Sequence, residues 1–91
     1  MIFRILTEYR DNLPELTERY FDGFNFTHGI DGYWKGGREM SAVIEIDSIG
    51  MDYERIGHTR IKVYALAADI KRENNQQAVL VQEIAAESRL A

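Results

Sequence analysis

The chain has 91 residues, 45% apolar and 29% charged, a balance typical of one soluble globular domain over residues 1–91. Eleven basic and fifteen acidic residues leave a net charge of −4, which argues against a binder of the nucleic-acid phosphate backbone. The absence of cysteine excludes disulfides, thiolate metal sites and a cysteine nucleophile. No apolar stretch approaches the roughly 20 residues of a membrane span, and no signal peptide is recognised. We therefore expect a cytoplasmic protein without membrane partners.

The first part of the chain predicts a strand followed by a short helix. Residues 2–9 are rich in β-branched and aromatic side chains, which favours a strand. Asn12 is then a candidate helix N-cap, and Gly23 is the expected end of the helix. Between them runs an apolar stripe with helical spacing, made of Leu13, Leu16, Tyr20 and Phe21.

A hairpin is predicted over residues 24–47. Its two arms alternate apolar and polar residues, as half-buried strands do. We place the turn at residues 35–38, because Gly36 and Gly37 both tolerate positive φ. The third strand then resumes at Glu39 and continues to residue 47.

The last part of the chain predicts a long helix and a final strand. The helix begins at Asp52 and ends at Asn74 and Asn75. Its inward face has helical spacing and consists of Val63, Leu66, Ala67 and Ile70. Residues 77–84 carry a short apolar run typical of a buried strand, and residues 85–91 fit either a helical turn or a tail.

The order β-α-β-β-α-β predicts an α+β, ferredoxin-like fold, a four-stranded antiparallel sheet with two helices on one face. The first strand places apolar residues on both of its faces, with Ile2 and Leu6 on one and Phe3 and Ile5 on the other. Because the helices cover only one face, we expect the other to drive self-association.

The residues alone indicate no metal, cofactor or nucleophile. No serine lies in a nucleophile-elbow context, and His28 and His58 are thirty residues apart. A metal site from His28, Asp22 and Asp31 is a weaker interpretation than solvated loop histidines. The glycines of residues 29–37 do not match a phosphate-binding loop, since a strand follows them.

Two polar segments remain as candidate binding positions. Residues 32–39 place Tyr33, Trp34 and Glu39 around the hairpin turn. They fit a packed turn, although one ring could also offer its face to a flat base or a cation. The amides of residues 74–77 fit a helix end, or donors and acceptors for a ligand.

These segments resemble the phage S-adenosylmethionine lyases, formerly described as S-adenosylmethionine hydrolases. The matching positions are Gly32-Tyr33, Arg38-Glu39 leading into residues 41–46, and the sequence Gln-Gln-Ala-Val-Leu-Val at residues 76–81. Most of the chain agrees in element order, but only these positions agree in identity. The family is similar in fold to the PII-like signalling proteins. The resemblance implies a cofactor-free homotrimer that cleaves S-adenosylmethionine at sites between subunits.

The resemblance also implies roles for individual residues. Glu39 corresponds to the family's active-site carboxylate, and Gln76 to an amide near the amino-acid end of the substrate. A family tyrosine near the hairpin corresponds to Tyr33, although the spacing also fits His28. Trp34 or Tyr33 would stack on the adenine or face the sulfonium.

Two other functions stay open. A PII-like regulator without chemistry would bind an adenine nucleotide between subunits, using basic residues such as Lys35, Arg38, Lys71 and Arg72. A small acidic phage protein could instead inhibit a host enzyme.

Overall fold

The computed structural model describes residues 1–86 and contains six elements in the predicted order. They are β1 (Ile2–Glu8), α1 (Leu13–Glu18), β2 (Asn25–Trp34), β3 (Gly37–Asp47), α2 (Tyr53–Glu73) and β4 (Leu80–Ile84). The strands form one antiparallel sheet in the order β2-β3-β1-β4, with β1 between β3 and β4. This arrangement confirms the ferredoxin-like fold. The alternatives for residues 85–91 fall largely on residues 87–91, which lie outside the described part.

The core lies between one face of the sheet and the two helices. Side chains alternate across a strand, and every second residue is buried in β1 and in β3 from Ala42 to Ile46. The buried set is Phe3, Ile5, Leu13, Leu16, Ala42, Ile44, Ile46, Val63, Leu66, Ala67 and Ile70. The other face of β1 and β3 is half-buried, and we call it the open face.

Helix α1 is shorter than its apolar stripe predicts. It ends at Glu18, five residues before Gly23, so the predicted end was wrong. The Tyr20 N–H bonds the Thr17 carbonyl at 3.0 Å in a tightened last turn, and Tyr20 and Phe21 then pack on the core from the following connection. The stripe therefore marks core contact and not the length of the helix.

The β2–β3 hairpin turns through only two residues. Lys35 and Gly36 have φ of 50° and 79°, and Gly37 already begins β3 opposite Trp34. The predicted turn at residues 35–38 was too long. Positive φ was expected at Gly36 and Gly37, but it occurs at Lys35 and Gly36. The hairpin also extends beyond the end of β1, whose pairing with β3 ends at Ser41. Residues 30–40 therefore form an arm that extends beyond the centre of the sheet.

The ends of α2 are fixed by caps. The Asp52 carboxylate accepts a hydrogen bond from the Arg55 N–H at 2.9 Å. At the other end Asn75 adopts φ 52°, and the Gln76 N–H bonds the Lys71 carbonyl at 2.9 Å, the geometry of a Schellman motif. This motif sets the direction in which the chain leaves α2. None of the helices in residues 1–86 is both long and apolar enough to cross a membrane.

The final strand lies at an edge of the sheet. It begins at Leu80 and not at residue 77, and Leu80 is 54% exposed. Its prediction as a buried strand was wrong, because β4 has a neighbour on only one side. A short apolar run in the sequence does not distinguish an edge strand from a buried central strand.

Candidate functional site

A row of side chains crosses the helix-covered face of the sheet where β1 ends. Thr7 of β1 pairs with Ala42 of β3, and Ala42 pairs with His28 of β2. Gln76 joins the row because the Thr7 hydroxyl donates a hydrogen bond to its Oε1 at 2.7 Å. The structure thus places two of the predicted site residues, His28 and Gln76, on one face.

Gln76 is buried with half of its amide unused. The residue is only 9% exposed, and Oε1 accepts from the Thr7 hydroxyl. The buried Nε2 atom has no hydrogen-bond partner among the described residues. A buried amide donor without a partner costs about 1–3 kcal/mol, so each such atom in a folded protein requires an explanation, of which strain, an ordered water and a functional role are the usual ones.

A second amide pair lies between the start of α1 and the end of α2. The position of Asn12 predicted that its side chain would cap α1, but the side chain makes no capping hydrogen bond. Its Nδ2 instead donates to Asn74 Oδ1 at 2.8 Å. The remaining amide atoms, Asn12 Oδ1 and Asn74 Nδ2, are buried without partners within residues 1–86. The start of α1 and the end of α2 therefore carry amide donors and acceptors that Asn12, Asn74 and Gln76 do not use among themselves.

Three aromatic rings lie at the other end of the row. The His28 ring centroid is 5.3 Å from that of Tyr9 and 5.5 Å from that of Phe26. The interplanar angles of these three rings lie between 27° and 32°, so the rings are closer to parallel than to perpendicular. The Tyr9 hydroxyl donates to Asp11 at 2.8 Å, and this bond to a carboxylate raises the pKa of Tyr9. His28 is the exposed member of this ring stack.

The predicted residues of the hairpin lie on the arm. Tyr33 is 73% exposed and pairs with Arg38, whose guanidinium is 3.3 Å from the Asp31 carboxylate. The backbone of Trp34 pairs with Gly37, but the prediction for the Trp34 side chain falls outside the described part of the structure.

Glu39 lies on the open face. It pairs with Gly32 three residues before Ala42, which faces the helices, so alternation along β3 turns Glu39 to the opposite side. The Ser41 side chain lies against Gly32 on that same side. A Cβ at residue 32 would clash with the Ser41 hydroxyl. Glu39 is half-buried there. One chain therefore does not bring Glu39 and Gln76 together.

The open face combines apolar side chains with one central ion pair. Arg4 Nε is 3.6 Å from Glu45 Oε2. A shallow depression of about 270 Å³ surrounds the pair, lined by Arg4, Leu6, Thr27, Ile30, Val43, Glu45 and Gln82. Such a mixed surface suits contact with another protein surface better than full exposure to water.

The basic residues considered for a nucleotide phosphate lie on two elements, the β2–β3 hairpin and the end of α2, and two of them pair with carboxylates. Arg38 on the arm pairs with Asp31, and Arg72 at the end of α2 donates to Asp69 at 2.7 Å. Within residues 1–86, no three His, Asp or Glu side chains come together as metal ligands would. The arrangement favours binding through amides and rings over binding through clustered charge.

No family model matches the chain, and no curated protein or solved structure is significantly similar to it. The interpretation of the site therefore depends on its own geometry. Sequence reasoning found Gln76 and His28 but missed Thr7, Tyr9 and Phe26. Alternation along β1 put Thr7 and Tyr9 on one side, but only the register with β2 and β3 shows which residues they meet.

Proposed function

We propose that this protein is an S-adenosylmethionine lyase that works as an oligomer, with each active site between two copies of the chain. The observation that carries the proposal is the buried amide of Gln76. Its Oε1 is occupied by Thr7, and its Nε2 is a donor without a partner in residues 1–86. The resemblance assigns this amide to the amino-acid end of the substrate, where a carboxylate would accept from Nε2.

The reaction requires orientation more than acid–base catalysis. The substrate carboxylate attacks its own γ-carbon, the bond from that carbon to sulfur breaks, and both electrons pass to sulfur. The products are homoserine lactone and the neutral thioether methylthioadenosine. The nucleophile is already ionised and the leaving group needs no proton. Holding the reacting atoms about 3–3.5 Å apart can supply on the order of 7–11 kcal/mol of the barrier.

The two residues would have separate tasks. A hydrogen bond from Gln76 Nε2 to one carboxylate oxygen leaves the other oxygen directed at the γ-carbon. Glu39 would hold the substrate ammonium or ribose through its negative charge. No proton has to leave the substrate for either task.

Association would complete the site. Glu39 and Gln76 lie on opposite faces of one sheet, so a substrate touching both needs Glu39 from one copy and Gln76 from a neighbour. The apolar residues of the open face, such as Leu6 and Val43, supply a surface for that contact. A homotrimer is the expected form, and native mass spectrometry measures it directly.

Product analysis in water enriched in oxygen-18 tests the reaction. A lyase releases methylthioadenosine and homoserine lactone. Later hydrolysis of the lactone places the heavy oxygen in the carboxylate of homoserine. Direct hydrolysis places it in the γ-hydroxyl, and that result would assign Glu39 to activating water. Nucleotide binding without consumption of S-adenosylmethionine would favour the regulator instead.

Substitution of Glu39 tests the carboxylate. Glu39→Gln keeps the shape of the side chain and is expected to reduce turnover at least a hundredfold, in the range for loss of one electrostatic contact at a transition state. Glu18→Gln at the exposed end of α1 is the matched control and should retain full activity. Unchanged turnover in Glu39→Gln, with an unchanged circular dichroism spectrum, would remove Glu39 from the mechanism.

A further inference from the structure

We infer that the ring stack of Tyr9, Phe26 and His28 is a binding site for a planar purine base. Under the proposed function this base is the adenine of the substrate. Only the identity of the base rests on that function. The base would lie on the outer face of His28, in place of the predicted Tyr33 or Trp34.

The geometry of the stack carries this inference. His28 lies 5.3 Å and 5.5 Å from the other two rings, at interplanar angles of 32° and 27°. Rings inclined at 27° and 32° are closer to parallel than to perpendicular and can be extended by a further planar ring, whereas edge-to-face pairs direct edges at their neighbours. His28 is exposed while Tyr9 and Phe26 are half-buried, so the stack has a supported inner side and an accessible outer side.

The surroundings leave this position accessible. Helix α1 ends at Glu18, and the side chains of the arm on the same face are exposed, Met40 by 54% and Tyr33 by 73%. A helix covering the stack would bury these residues. The Tyr9 ring is held by its hydrogen bond to Asp11, so little side-chain freedom is lost when a ligand stacks on it.

The row across the sheet links the rings to a hydrogen-bond donor. His28, Ala42 and Thr7 are partners across three neighbouring strands, and Thr7 bonds Gln76. A base at His28 and a polar group at Gln76 would therefore occupy the same face, since His28 and Thr7 are two strand spacings of about 4.7–4.9 Å apart and Gln76 bonds Thr7. That span suits a nucleoside carrying a short polar tail.

The two histidines of the chain provide the experiment. Both His28 and His58 are exposed, but His58 lies on α2 away from the rings. We would titrate the protein with adenosine, and separately with methylthioadenosine, while following the imidazole signals by NMR. The signals are assigned with His28→Ala and His58→Ala. The expected result is a saturable ring-current shift at His28 and none at His58.

Affinity measurements complete the test. Base–aromatic stacking predicts that His28→Ala weakens binding of methylthioadenosine by about 5- to 150-fold, while His58→Ala leaves it unchanged. His28→Phe keeps a flat ring and should retain most of the affinity. Equal shifts at both histidines, or no shift at millimolar nucleoside, would overturn the inference.

The outcome is separable from that of the proposed function. Turnover of S-adenosylmethionine without a response at His28 would overturn the base site and leave the lyase. Binding at His28 without turnover would support the base site and reject the lyase.

Discussion

The two faces of the sheet are built from the same strands but differ in what covers them. On the helix-covered face, Ile5 and Ile44 are fully buried and belong to a continuous core. On the open face, their neighbours Leu6 and Val43 are half-buried around an Arg4–Glu45 ion pair. The first face explains why the chain folds, and the second leaves apolar surface that folding of one chain does not cover.

The candidate site follows the same division. Gln76 and the ring stack belong to the helix-covered face, whereas Glu39 belongs to the open face. Under the proposed function, a second copy of the chain would unite the candidate residues of the two faces. The comparison therefore predicts different consequences for substitutions on each face.

The largest effect on stability is expected in the core. Ile44→Ala should lower the free energy of unfolding by about 2–5 kcal/mol, because it removes a buried side chain and leaves a cavity. Val43→Ala, one residue away on the open face, should cost less than about 1 kcal/mol in a dissociated chain. Urea unfolding at low protein concentration measures both. Equal losses would show that the two faces do not differ as described.

The Thr7–Gln76 bond is expected to have the next largest effect. Thr7→Val keeps the shape of the side chain but leaves Gln76 Oε1 without its donor, at a cost of about 1–3 kcal/mol. Thr7→Ser restores the hydroxyl and should recover most of the loss in urea unfolding. Equal stability of the valine variant and the wild type would mean that this bond does not hold the amide.

The contact between α2 and the connection that follows α1 predicts a pH dependence. The Tyr20 hydroxyl donates to Asp69 at 2.5 Å, and this bond, with that from Arg72, holds the pKa of Asp69 below its usual range. The carboxylate therefore stabilises the fold above the unfolded pKa of about 3.9, and this contribution is lost as the pH falls through the lower folded value.

Asp69→Asn measures that contribution. The variant should be less stable than the wild type by about 1 kcal/mol at pH 7. In urea unfolding the difference should shrink as the pH falls from about 4, the unfolded pKa, through the lower folded pKa, where the folded wild-type carboxyl also becomes protonated. A difference that stays constant from pH 7 to pH 3 would contradict this role.

The smallest effect is expected at the turn that orients Gln76. Asn75 has a φ of 52°, which favours glycine and asparagine over other residues. Asn75→Ala should lower the free energy of unfolding by roughly 0.5–1 kcal/mol, and Asn75→Gly should leave it nearly unchanged. Thermal unfolding of the two variants compares them directly. Equal melting temperatures would show that the Schellman motif is not needed here.

Periodicity predicted the fold because each element has a distinct pattern. The alternation of Phe3, Ile5 and Thr7 and the helical spacing from Val63 to Ile70 match the buried faces of β1 and α2. The end of α1 was not predictable in this way, since Tyr20 and Phe21 continue the apolar stripe after the helix has ended. Contact with the core and helical geometry produce the same pattern there.

The candidate site was only partly predictable, because it depends on register. Gln76 and His28 were expected from residue type and resemblance, but the bulge between His28 and Ile30 decides which faces the hairpin residues occupy. No local signal in the sequence positions that bulge. The separation of Glu39 from Gln76 emerges only from the folded chain as well, because Gln76 lies in a connection and is placed on the helix-covered face by its bond to Thr7.

The division of the site between two copies is tested most directly by mixing two inactive chains. Glu39→Gln and Gln76→Met would be co-expressed with different affinity tags, and oligomers carrying both tags would be purified and incubated with S-adenosylmethionine. Each variant alone is expected to be inactive. The doubly tagged oligomer should regain turnover, because it contains an interface where an intact Glu39 meets an intact Gln76. Inactivity of the mixed oligomer, beside a fully active doubly tagged wild type, would contradict a shared site.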